Sequence, residues 1–236
     1  MDITNNYIIK YKINTKYGDN IFSCLLIFPH NSDDNYIITS TYNYKGKDED
    51  SETKLYSLDN GNFIKYINNT NKNYIYYLLS WYNKRNNKYY NIQFAYKKII
   101  INNFLEDEIY SELSNKLETH HFSGFIYYKY NNDYLYSSSG NRHINIWDLY
   151  NKKIFKTNNI KDCKLAHIIE WNKKYIIVAD YNNKSIKIID IDNNSIHNIN
   201  PEHIKELACV KKINHPKYGE SLLSASKDKT MDNWII

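Results

Sequence analysis

The chain has 236 residues, 42% of them hydrophobic and 24% charged, with 31 basic against 26 acidic side chains and a net charge of +5. That is enough apolar material for one full hydrophobic core and excludes a disordered polymer, while the low mean hydropathy of -0.70 comes from uncharged polar residues, chiefly Asn. The basic residues are spread along the whole sequence, so the charge reads as a solubility feature more than as a nucleic-acid footprint.

From the N-terminus, Met1 to Ile13 mixes Asn, Asp and Lys into its apolar residues and lacks the continuous apolar stretch of a signal peptide. Ile8 to Ile13 alternates as a strand does. No later apolar run approaches a membrane span, and Cys24, Cys163 and Cys209 suit neither a disulfide framework nor a zinc cluster. The expectation is a soluble protein of a reducing compartment, the cytoplasm or the nucleus. Short alternating segments then recur between clusters of Asn, Asp, Gly and Lys, which predicts an all-β fold. The acidic stretch Lys47 to Glu52 is an insertion, since Thr39 to Tyr56 spans 17 residues against 10 from Ser224 to Trp234. It reads as a solvated loop that would suit a basic partner segment. Tyr74 to Tyr96, with Lys84, Arg85 and Lys88 inside it, reads as strands joined by a basic hairpin rather than as a groove for single-stranded nucleic acid. Leu105, Ile109, Leu113 and Leu117 recur at intervals of four, and residues 105–120 are assigned as an insertion or a long outer strand.

An internal repeat emerges when segments are overlaid. Lys54 to Leu58, Asn145 to Leu149, Lys187 to Ile191 and Asp232 to Ile236 match in pattern, with a weaker copy at Lys98 to Asn102. Tyr56, Trp147, Ile189 and Trp234 hold the same place, at intervals of 91, 42 and 45 residues. Halving the first interval gives a period of about 40–45 residues, that of propeller blades. The predicted units are 22–61, 62–104, 121–150, 165–192 and 203–236, in a single domain over 1–236.

Two units resemble the WD40 repeat family. His203 precedes Leu207 and Val210, and Leu222-Leu-Ser-Ala-Ser-Lys-Asp-Lys-Thr230 leads to Trp234. His121 precedes Phe125 and Tyr128 at the same offsets, and Tyr134-Leu-Tyr-Ser-Ser-Ser139 leads through Asn141 to Trp147-Asp148; Asn141 stands where the family has Asp. The resemblance implies a β-propeller of four-stranded blades. It also implies a hydrogen-bonded chain of His, Asp, Ser or Thr and Trp that ties each blade to its loop. Here that chain would be His203, Asp228, Ser224 or Ser226 and Trp234, with His121, Asn141 and Trp147 as its counterpart. Ile8 to Ile13 could pair beside the Trp234 strand and close the ring; an unclosed ring would favour self-association.

No catalytic, cofactor or metal site is expected. His120-His121 has no His-Glu-x-x-His or Cys-x-x-Cys setting, Ser137 to Ser139 have no nucleophile elbow, and six glycines supply no phosphate loop. The function class is a non-enzymatic scaffold or adaptor for other proteins, with a nucleic-acid-associated module or the propeller part of a larger regulatory protein as the alternative. Nucleic acid is the less expected partner, and a membrane is not expected. The family pattern places Arg142, Asn182, Lys205 and Lys227 in turns on the face a partner would contact.

Overall fold

The computed structural model describes residues 19–29, 34–43, 51–67, 74–115, 120–129, 131–161, 163–199 and 203–235. These form nineteen strands and no helix, arranged as five antiparallel sheets. Blade 1 holds β1 (Asp19–Ile27), β2 (Tyr36–Asn43), β3 (Ser51–Ser57) and β4 (Phe63–Ile67). Blade 2 holds β5 (Ile75–Asn83), β6 (Lys88–Ala95), β7 (Ile99–Asn103) and β8 (Glu108–Leu113). Blade 3 follows with β9 (His121–Lys129), β10 (Asn132–Ser139), β11 (His143–Asp148) and β12 (Lys153–Asn159). Blade 4 has β13 (Leu165–Glu170), β14 (Tyr175–Asp180), β15 (Ser185–Asp190) and β16 (Ile196–Ile199). Blade 5 has three described strands, β17 (Leu207–His215), β18 (Gly219–Ser226) and β19 (Met231–Ile235).

Each sheet is a meander in sequence order, so the first strand of every blade lies innermost and successive inner strands pack on one another. The sheets bury their faces only by stacking. Four apolar clusters result, one at each junction between consecutive blades. Among the described residues no such cluster joins blade 5 to blade 1. The alternation of β19 leaves Met231 and Ile235 70% and 63% exposed, and Ile8 to Ile13, the predicted closing strand, lies outside the described residues.

The turns show why Asn and Asp are so abundant. The Asp148 carboxylate accepts from the backbone N–H groups of Tyr150 and Asn151 at 3.1 and 2.9 Å, and Asp190 accepts likewise from Asp192 at 2.9 Å. With few glycines, residues such as Arg142 (φ 68°), Lys184 (φ 54°) and Lys229 (φ 73°) take the left-handed turn position. Of the residues at helix-like spacing, Leu105 lies in the turn into β8 and Ile109 and Leu113 in β8 itself, while Leu117 lies outside the described residues. Ser51 and Glu52 of the acidic stretch belong to β3, and residues 47–50 lie outside the described residues.

Register corrects the repeat in blade 2. Tyr56, Trp147, Ile189 and Trp234 sit opposite Ile37, Leu135, Ile176 and Leu222. The equivalent pair in blade 2 is Asn102 opposite Asn91, so the weak copy centred on Ile100 is displaced by two residues. Both asparagines are buried, and a polar pair at the Trp site leaves no apolar signature to align.

The junction between blades 2 and 3 is plugged by aromatic rings. The Trp81 indole N–H donates to the Asp133 carboxylate at 2.9 Å, and the Tyr150 hydroxyl donates to the same oxygen at 2.7 Å. Tyr110 packs edge-on to Trp81 with ring centroids 5.4 Å apart, and Arg85 lies 3.6 Å over the Tyr150 ring.

Candidate interaction face

Each inner strand carries a β-bulge just after its start, falling on Phe22, Tyr76, Phe122, Ala166 and Ala208. A bulge re-aims its side chain, and Tyr76, Phe122, Ala166 and Ala208 all border a cavity of about 480 Å³ at one mouth of the axis. Two aromatics face two alanines, and that size difference leaves the space. Tyr77, His167, Leu207, Lys164, Tyr181 and Lys227 complete much of the wall. Tyr77 and His167 meet across the axis with ring centroids 5.6 Å apart.

Beside the mouth lies a half-buried aromatic cluster. Tyr74 stacks on Tyr76 at 6.1 Å, His120 stacks on Phe122 at 5.7 Å, and Tyr96 meets His120 edge-on at 4.9 Å. Lysines frame it: Lys97 lies over Tyr96 at 5.0 Å, and Lys164 and Lys227 lie over Tyr181 at 4.9 and 4.7 Å. Lys227 Nζ also donates to the Tyr181 hydroxyl at 2.6 Å, a bond that raises the Lys227 pKa. Burial lowers the His120 pKa, with the nearby Lys164 charge acting in the same direction, so His120 adds little positive charge to this face at neutral pH.

The meander explains how a scattered charge becomes a patch. Turns from second to third strand, and the links between blades, all fall at this end. Their described residues include Lys97, Arg142, Lys161, Lys164, Lys184, Lys205, Lys227 and Lys229 against Glu206 and Asp228. Asp228 is committed internally, accepting from Ile204 N at 2.9 Å and Thr230 Oγ1 at 2.5 Å. At the opposite end Lys84, Arg85, Lys152, Lys173, Lys174 and Lys217 are balanced by Asp34, Asp59, Glu106, Asp107 and Asp192. Among the described residues, basic side chains that are spread along the sequence thus gather at one end in space.

Arg142, Asn182, Lys205 and Lys227 lie in the β10–β11 turn, the β14–β15 turn, the link before β17 and the β18–β19 turn, all at this end. Lys227 is joined to the Asn182 turn through Tyr181, and the Lys205 carbonyl accepts from Ser226 Oγ at 3.1 Å; Arg142 stands a blade away. Sequence reasoning misses the cavity wall itself, although the residue after each inner-strand start could mark it. Lys84 and Arg85 occupy the β5–β6 turn at the far end, away from Tyr74 and Tyr76.

Under this face, Trp234 Nε1 donates to Ser224 Oγ at 3.0 Å, and His203 Nε2 lies 3.0 Å from the same oxygen. His203 Nδ1 lies 2.8 Å from Thr230 Oγ1 and 3.4 Å from Asp228 Oδ2. In blade 3 Trp147 donates to Ser137 Oγ at 2.8 Å, and buried His121 lies with its ring 6.2 Å from Trp147. Asn141 falls in the β10–β11 turn. Among the described residues no group of three His, Cys, Asp or Glu side chains could hold a metal ion, and the three cysteines are unpaired.

Burial pushes the His167 imidazole down to about 4, against a smaller opposing contribution from a hydrogen bond with the Val210 backbone. The unfolded chain protonates this group near pH 6.5 and the folded chain does not, so the unfolded state binds the extra proton. Stability is expected to fall as pH drops from 6.5 towards 4, by on the order of 2 kcal/mol from this group. Denaturant titrations of His167→Gln over that range should show a flatter limb; an unchanged slope would exonerate His167.

Comparison with known proteins bears on the fold. Two solved structures, described as U3-55K and the WD40 repeats of RRP9, each superpose with a TM-score of 0.71 at 15% identity, over 94% of this chain. The fold is thus the WD40-type β-propeller. The chain spans 62% of the length of each of those structures. No family model matches the sequence, and no curated protein matches it.

Proposed function

We propose that this chain is a non-catalytic interaction platform that binds an acidic segment of a partner protein on its basic axial face. The observation that carries the reading is the excess of basic over acidic side chains among the described residues around an apolar, aromatic mouth, since complementary potential selects partners and a concave apolar site anchors them. The family resemblance and the unpaired thiols support an intracellular scaffold in a reducing compartment. The test places a photo-crosslinking amino acid at Tyr76, or at Tyr82 on the opposite end. A discrete partner captured only from position 76, and lost in Lys164→Glu/Lys227→Glu, is expected. Equal capture from both positions, or capture indifferent to the charge reversal, would reject the reading.

The stacked pairs Tyr74–Tyr76 and His120–Phe122 beside Lys97 and Lys164 favour single-stranded nucleic acid as the second reading. Affinity for an oligouridine that falls steeply between 50 and 200 mM salt, about 300-fold for six phosphate contacts on a single strand, is its signature; weak binding flat in salt would dismiss it.

A further inference from the structure

The repeat permits a comparison of one blade junction with the next. Trp81 pairs with Tyr90 as Tyr127 pairs with Tyr134, and Ile92 with Ile101 as Tyr136 with Ile146. The outer strands bulge at the same place, on Tyr110 in β8 and Phe155 in β12. On the following blade, Leu149 N bonds the Asp133 carbonyl as Ile191 N bonds the Lys174 carbonyl. Tyr150 N bonds the Asp148 carboxylate as Asp192 N bonds that of Asp190. Residue for residue, Trp81, Tyr110 and Tyr150 at the junction of blades 2 and 3 become Tyr127, Phe155 and Asp192 at the junction of blades 3 and 4.

Two of these exchanges each remove a ring. Tyrosine is smaller than tryptophan, and aspartate replaces a phenol outright. The third keeps a ring but leaves it open: Phe155 is 63% exposed, its ring tilted against that of Tyr134 with centroids 5.1 Å apart. What is left is a cleft of about 340 Å³ walled by Tyr127, Tyr134, Tyr136 and Phe155. Burial pushes the Tyr136 phenol up to about 12, so that wall is uncharged at neutral pH. Lys129, Lys156 and Lys173 stand on its rim, and Asp192 offers a carboxylate at the place where Tyr150 sits next door.

We propose that this cleft docks an aromatic side chain, tryptophan or tyrosine, carried by an acidic peptide segment of a partner protein. The incoming ring supplies the missing plug, its N–H or O–H can donate to Asp192, and acidic neighbours meet the rim lysines. The site lies on the flank between blades 3 and 4 and stands independently of the axial face.

The probe is a synthetic eleven-residue Asp/Glu peptide with one central Trp and a terminal fluorophore, titrated with the full chain by fluorescence anisotropy. Binding is expected to weaken at least tenfold when the Trp is replaced by Ala. The same loss is expected in the chain variant Tyr127→Trp/Asp192→Tyr, which rebuilds the plug and should melt no lower than the parent. Should that variant not fold, Lys156→Glu/Lys173→Glu, confined to the surface, is expected to weaken binding by a similar factor. Lys65→Glu on blade 1, outside both sites, should leave it unchanged. Binding that survives both cleft variants, or that ignores the Trp, overturns the proposal. Loss only in the Lys164/Lys227 variant would move the peptide to the axial face, sinking this site while supporting that one.

Discussion

Replacing Gly124 by alanine is expected to destabilise the chain by about 3 kcal/mol, the upper end for overpacking a formed core. A Cβ there would lie 2.3 Å from the Tyr136 carbonyl oxygen and 2.6 and 2.7 Å from ring atoms of Phe94. Gly124 lies in β9 opposite Ser137, while Phe94 reaches it from blade 2, so the methyl would wedge its own sheet and the blade junction together. The ring can shift, but the carbonyl is held in the β9–β10 ladder. A fall in the thermal midpoint of about 6–12 °C is the expected reading for a chain of this size. Adding Phe94→Leu should recover only part of it. A midpoint within about 2 °C of the parent would show that the junction yields at this point.

Trp81→Ala is expected to cost about 3–5 kcal/mol, because it empties a fully buried site and strips a donor from Asp133. Trp81→Phe separates the two effects: it keeps a ring in the cluster but removes the indole N–H, leaving Tyr150 as the side-chain donor still bonded to Asp133. About 1–3 kcal/mol is expected for that loss in urea unfolding. A near-zero cost for the phenylalanine would mean that solvent replaces the indole at the carboxylate.

Blades that carry the repeat in apolar residues are legible in the sequence alone. Leu222 to Ser226 and Trp234, and Leu135 to Ser139 and Trp147, alternate strongly enough to place strands and turns together. Blade 2 is legible as strands but not in register, since Asn91 and Asn102 give the repeat position no hydrophobic mark. The site is less visible, for a topological reason. Residues of one face come from points about 40 residues apart, and only the meander brings Tyr76, Phe122, Lys164 and Lys227 to one mouth. The flank cleft is invisible for the opposite reason: it exists through what Tyr127 and Asp192 fail to fill.

The lack, among the described residues, of an apolar cluster between blade 5 and blade 1 also implies an order of events. Where each blade is stabilised by its neighbours, an arc has two ends and a closed ring has none. Blade 5, which among the described residues shares an apolar cluster with blade 4 alone, should open before the middle blades, and amides of β18 and β19 should exchange with deuterium faster than those of β9 to β11. Equal protection in all five blades would mean that the circle is completed. Native-state exchange therefore turns a question of closure into a gradient along the chain.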